Sequence, residues 1–157
     1  MSDEWRREHY KISSDRSQLN TTLIHDYLSN SSYWATGRSL EAVERSIENS
    51  LCFGLYEVSA LPQQQIGFAR VVTDRTTFAY LADVYVLESH RGKGLSKRLI
   101  AAVCSHPYLR DLRRFVLWTR DAHGLYEQFG FERLGTQPGL MGRLQPFGYS
   151  QQKGMTP

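Results

Sequence analysis

Apolar residues recur along this chain with two periods, and the switches between them mark its elements. Over residues 18–29, Leu19, Leu23, Ile24, Tyr27 and Leu28 share one helical face. Ser14-Asp15-Arg16-Ser17 ahead of them offers turn and capping chemistry, and Asn30-Ser31-Ser32 breaks the pattern. Ser39 is placed to cap a second helix, with Leu40, Val43 and Ile47 inward and Glu41, Glu44 and Glu48 outward. Residues 9–13 predict a short first strand. Residues 51–58, 65–72 and 77–86 predict three more, an antiparallel meander with turns at Leu61-Pro62 and Thr73-Asp74-Arg75. The end of the third, residues 81–86, is nearly all apolar, as in a strand buried on both faces.

Leu95, Leu99, Ala102 and Val103 then recur as one buried face of a helix, stopped by His106-Pro107 because proline has no N–H to donate. Phe115-Val116-Leu117-Trp118 predicts a short buried strand. A helix over residues 121–129 carries Ala122, Leu125, Tyr126 and Phe129 on one face, and Gly130 ends it. Residues 131–134 and 140–144 predict a final pair of strands around Gly-Thr-Gln-Pro-Gly, and the polar tail from residue 150 is predicted to be loose. The order is β-α-α-β-β-β-α-β-α-β-β, a mixed α/β arrangement, and no repeat or linker divides residues 1–157 into more than one domain.

Composition changes this picture little. Hydrophobic residues make up 41% and charged residues 22%, ordinary for a soluble globular protein. No apolar run approaches the ~20 residues of a membrane span. No apolar segment follows Met1-Ser2-Asp3-Glu4-Trp5-Arg6-Arg7, so no signal peptide is predicted and a cytoplasmic location is expected. A formal charge of +3 favours an anionic ligand, but no long basic run or aromatic-interleaved basic stripe points to nucleic acid. Cys52 and Cys104 lie in apolar surroundings and read as small core residues, without the spacing of a metal pair. No metal is implied.

The chemistry concentrates at Arg91-Gly92-Lys93-Gly94-Leu95-Ser96, between a strand and a helix. A helix start carries unpaired N–H groups and a partial positive charge. Glycines leave room for an anion to reach those groups, and Arg91 and Lys93 add full charges. A phosphate or pyrophosphate is the natural guest; a tight turn with solvated basic residues is the bland alternative. No Gly-x-x-x-x-Gly-Lys-Ser/Thr run occurs, and Lys97 stands where the dinucleotide fingerprint needs its third glycine.

The run does match Arg-x-x-Gly-x-Gly/Ala, with Ser96 as the small residue at its end. It resembles the acyl-CoA-binding signature of the GNAT superfamily of N-acyltransferases. A second stretch, Leu125-Tyr126-Glu127-Gln128-Phe129-Gly130-Phe131, is similar to that family's Leu-Tyr-Glu-x-x-Gly-Phe segment. The element order is that of the GNAT fold, a mixed central sheet with an antiparallel meander, a splayed parallel strand pair and flanking helices. The likeness spans nearly the whole chain, is strongest over residues 80–134 and is thin before residue 51.

The resemblance implies an acetyl-CoA-dependent N-acetyltransferase. Acetyl-CoA would lie between the strands ending at Val86 and Trp118, with Val84, Tyr85 and Val86 offering backbone groups to the thioester and pantetheine arm. Residues Arg91, Gly92, Lys93, Gly94, Leu95 and Ser96 would hold the pyrophosphate. Tyr126 occupies the position of the family's general acid, which protonates the departing thiolate; its other reading is an aromatic core residue. Many members carry an asparagine that contacts the pantetheine arm seven positions before that tyrosine, where this chain has Thr119, of shorter reach.

Asp83, a carboxylate within an apolar strand, is a candidate base or ammonium anchor, or else a structural carboxylate satisfied by a backbone N–H or an arginine. His25 and His123 are weaker candidates for the base. Tyr33 and Trp34 fall where members of the family build the acceptor site, as walls for an amine or as a local hydrophobic plug. The partners expected are acetyl-CoA and an amine, of a small molecule, an antibiotic or a protein; homodimers are common in the family, and no interface signature is visible. Two other functions fit the fold: an acyl-CoA sensor without turnover, which would not need Tyr126, and a tRNA-directed acetylating toxin, which the modest charge disfavours.

Overall fold

The computed structural model describes residues 4–135 and 139–143. Six strands form one sheet in sequence order: β1 (Glu4–Arg7), β2 (Tyr10–Ser13), β3 (Leu51–Glu57), β4 (Gln64–Thr73), β5 (Phe78–Val86) and β6 (Arg114–Leu117). Neighbours from β1 to β5 run antiparallel, and β5 and β6 run parallel.

Each face of the sheet has its own apolar layer. On one, Phe53, Leu55, Ala79 and Leu81 pack against Leu95, Leu99, Ile100 and Val103 of α3 (Leu95–Ser105) and against Tyr126 of α4 (His123–Glu127). On the other, Cys52, Phe68 and Tyr85 meet Ile24 and Leu28 of α1 (Thr21–Asn30) and Val43 and Ile47 of α2 (Leu40–Glu48). The side chains of Asn20 and Ser39 accept from the N–H groups of Leu23 and Ala42 and so start α1 and α2.

β5 changes faces partway along. Ala79 and Leu81 face the α3 layer, but so do Val84 and Val86, while Tyr85 faces α1. One extra residue in a strand reverses its alternation. The register against β4 slips between Phe68 and Arg70, and opposite that slip Asp83 takes a φ of 53°, in the left-handed region.

Several expectations are corrected. β1 is an additional, polar strand, and it reaches β2 through Glu8 at positive φ. Leu40 is 41% exposed rather than inward, because side chains lean toward a helix's start and Leu40 is the first helical residue. β6 is half-buried and ends at Leu117; Trp118 beyond it is 72% exposed rather than a buried strand residue. The last helix, expected over residues 121–129, spans only His123–Glu127 and is capped by Gln128, with Gly130 at a φ of 83° in the turn beyond. Residues 131–134 and 140–143 form no strand: Phe131 packs on Phe115 and Tyr126, while Leu134, Leu140 and Met141 stay exposed. Leu144 and the tail expected to be loose lie outside the described residues.

Candidate active site

β5 and β6 share a ladder only from Phe78 opposite Arg114 to Leu81 opposite Leu117. β6 then ends, while β5 runs on through the bulge to Val86. Among the described residues no strand lies beside residues 82–86 on the β6 side. Buried backbone polar groups need partners, so this fork presents an edge that an extended amide-bearing chain can extend like an added strand.

The glycine loop follows directly. Gly92 and Gly94 have φ values of 77° and 71°, and apart from their immediate chain neighbours no described atom lies within 4 Å of where a Cβ would stand on either. Arg98 is the first α3 residue whose N–H bonds back to the loop, at the Gly94 carbonyl. Among the described residues the N–H groups of residues 92–97 therefore find no acceptor. Leu95 contributes only its backbone, since its side chain is in the core. The Arg91 guanidinium donates from Nε to the Val86 carbonyl at 3.1 Å and from Nη2 to the Tyr27 hydroxyl at 3.0 Å. The Tyr27 ring stacks on Tyr85, with centroids 3.8 Å apart. Lys93 reaches the Tyr10 hydroxyl at 3.4 Å. Open glycines, orphan donors and two cations give the loop the donor set of a pyrophosphate cradle.

A cleft of about 400 Å³ opens at the fork. It brings together Tyr33, Trp34, Asp83, Val84, Thr119 and Tyr126, which lie far apart in the sequence. Tyr126 is 9% exposed, and its hydroxyl bonds to no described residue. Burial pushes its pKa up to about 12, with the nearby Tyr33 and Asp121 adding to the rise. The hydroxyl therefore keeps its proton at any working pH.

Asp83 is the arginine-bound carboxylate of the alternatives set out for it. Its side chain is 1% exposed; Oδ2 accepts from Arg38 Nη1 and Arg70 Nε, each at 2.7 Å, and Oδ1 accepts from Trp34 Nε1 at 3.1 Å. Desolvation alone would raise its pKa, but the two guanidinium groups outweigh that and hold it below the ordinary carboxylate value. A carboxylate so held is a weak base.

Thr119 Oγ1 accepts from the Ala122 N–H at 3.0 Å and so fixes the turn leading into α4. Tyr33 lies edge-on to Trp34 and accepts a hydrogen bond from the Arg120 N–H. Tyr85 sends its ring to the α1 layer, and its buried hydroxyl has no hydrogen-bond partner among the described residues. The histidines lie elsewhere: His25 Nε2 is 3.0 Å from the Arg38 carbonyl, and neither it nor His123 lines the cleft. Cys52 and Cys104 are free, and burial pushes their thiols up to about 12 and about 11. Among the described residues no group of three or more His, Cys, Asp or Glu could hold a metal ion, and no helix is long and apolar enough to cross a membrane.

The sequence reading missed Arg38 and Arg70, which hold Asp83, Tyr27, which holds Arg91, and Tyr80, Trp118, Arg120 and Asp121, which complete the cleft. A buried acid within a strand signals that a cation must reach it, but not which one.

A family model for the acetyltransferase (GNAT) domain matches residues 48–133. The Gibberella zeae protein named "Putative acetyltransferase FG08082" is 31% identical, over 78% of each chain. A crystal structure from Xanthomonas campestris pv. campestris, titled as a member of the GNAT family, is 47% identical over 92% of this chain and 99% of that one, with a TM-score of 0.84. The glucosamine-6-phosphate N-acetyltransferase of Arabidopsis thaliana, 17% identical over 87% of this chain and 99% of its own, shares the fold at a TM-score of 0.59.

Proposed function

Since this chain belongs to the GNAT acetyltransferase family, we propose that it moves the acetyl group of acetyl-CoA onto a primary amine, by direct attack in a ternary complex. One observation carries the reading. The forked edge of β5 leads from the open glycine loop into the cleft where Tyr126 sits. A cofactor held by its diphosphate at residues 91–96 would lay its pantetheine arm along residues 84–86 and deliver its thioester to that cleft.

The reaction balances as follows. The amine lone pair attacks the thioester carbonyl carbon, and the C–S bond breaks as the carbonyl re-forms. Sulfur takes a proton from the Tyr126 hydroxyl. The nitrogen sheds a proton, which returns to Tyr126 through water in the open cleft. A phenol raised to about 12 is a weaker acid than a thiol of about 8.5, so it yields its proton only as C–S cleavage develops. In this mechanism Asp83 fixes the strand edge and the Trp34 loop rather than receiving the amine's proton.

The test is thiol release from acetyl-CoA over an amine panel, for the wild type and Tyr126→Phe. The substitution is expected to lower kcat on the order of a hundredfold while the calorimetric affinity for acetyl-CoA stays the same. Uptake of the cofactor with no turnover of any amine would point to a sensor instead. No uptake at all would end the proposal.

A further inference from the structure

The cleft has two carboxylates and several aromatic walls, and their commitments differ. Asp83 is spent: Arg38, Arg70 and Trp34 hold both its oxygens. Asp121 is exposed, lines the same cleft and makes no hydrogen bond or ion pair with a described residue. It therefore supplies one uncommitted negative charge. Next to it the Arg120 guanidinium lies 3.9 Å from the Tyr33 ring centroid, which covers that ring and adds positive charge at the rim.

The walls are two edge-to-face aromatic pairs. Tyr33 and Trp34 stand 5.0 Å apart at 86°, and Tyr80 and Trp118 stand 5.1 Å apart at 84°. Trp118 is 72% exposed, an indole left in water at the mouth of a cleft. An exposed indole there has most of its stacking surface still to bury.

Building on the acetyl-transfer reading of this cleft, we infer that the acceptor is an aromatic monoamine, its ring against Trp118 and its ammonium entering at Asp121. One free carboxylate meets one ammonium. A polyamine would bring further cations to a rim that already carries Arg120. A purely aliphatic amine would leave the indole surface poorly matched.

Calorimetry on the CoA-bound protein with 2-phenylethylamine, hexylamine and spermidine tests this without requiring turnover. The aromatic amine is expected to bind about tenfold more tightly than either of the others. Trp118→Ala is expected to bring the aromatic and aliphatic amines to within about twofold, and Asp121→Asn to weaken the aromatic amine about tenfold. Both side chains are exposed, so thermal melts should match the wild type. Spermidine or hexylamine binding as tightly as the aromatic amine would overturn the inference, as would a preference that survives Trp118→Ala. Thiol release is measured in parallel. Turnover that ignores the ring would sink this inference alone, whereas a ring preference without turnover would sink acetyl transfer and leave the aromatic site standing.

Discussion

Arg38 Nη1 stands 2.7 Å from Asp83 Oδ2, and this bond ties the loop ahead of α2 to the bulge of β5. Arg70 of β4 reaches the same oxygen, and Trp34 reaches the other. One carboxylate thus gathers the loop of Trp34 and Arg38, the strand that bends and the strand beside it. The bulge puts it there. Beyond the extra residue, position 83 shares its side of the sheet with Tyr85, facing α1 and α2.

Asp83→Ala removes the carboxylate oxygen that Arg38 and Arg70 share. Asp83→Ala is expected to cost about 3–5 kcal/mol, the usual penalty for orphaning one side of a buried ion pair. Urea denaturation reads it as a lower midpoint at unchanged slope. A loss under about 1 kcal/mol would mean that water, not Asp83, balances the arginines.

The same group makes a pH prediction. Its carboxyl pKa in the folded protein lies below the ordinary aspartate value, because two guanidinium groups face it. A depressed folded value means the unfolded chain binds the proton more readily, so acid favours unfolding. The contribution of Asp83 is full above the unfolded value of about 4 and is lost as pH falls through the folded one. Asp83→Asn should therefore lose less stability than the wild type between pH 5 and pH 2, in roughly that window. Parallel acid curves would exclude Asp83 as a source of the slope.

Tyr27 is expected to act on cofactor affinity through Arg91. Tyr27→Phe keeps the ring on Tyr85 but removes the oxygen that accepts from Arg91 Nη2. A bond to a charged donor contributes about 1.5 kcal/mol, so the acetyl-CoA Kd should rise by up to about tenfold. The melting temperature should hold. A variant that melts early with unchanged Kd would make Tyr27 a packing residue only.

The sequence carried the elements that depend on local pattern. The α3 face, the Ser39 cap and the three-strand meander were all readable, because periodicity and capping act within a few residues. Asp83 stood out as an acid in an apolar strand. Its partners Arg38 and Arg70 did not, since nothing near either one says that it will turn inward. Trp118 was misread for a similar reason. Four apolar residues in a row look like a buried strand, and only the position of β6, with no further strand beside it among the described residues, leaves the indole in water. Residues 131–134 are a short run with apolar ends, Phe131 and Leu134, and find no strand partner among the described residues. Four residues carry too little pattern to tell a strand from a loop.

Two glycines separate the cost of folding from the cost of binding. Gly94 sits at a φ of 71° at the start of α3, with open space where a Cβ would go. Gly124 lies inside α4 with equally open space and no positive φ. Gly124→Ala should stabilise the protein by about 0.5–1 kcal/mol, since alanine loses less backbone entropy in a helix. Gly94→Ala should instead cost about 1 kcal/mol, because the left-handed region disfavours a Cβ. The binding difference is the sharper one. The methyl of Gly94→Ala would stand in the open space of the loop, where the diphosphate is expected to lie, so the acetyl-CoA Kd should rise about tenfold or more. Gly124→Ala should leave that Kd unchanged. Thermal melts and calorimetric titration of both variants check the four outcomes, and equal cofactor affinities would place the diphosphate away from this loop.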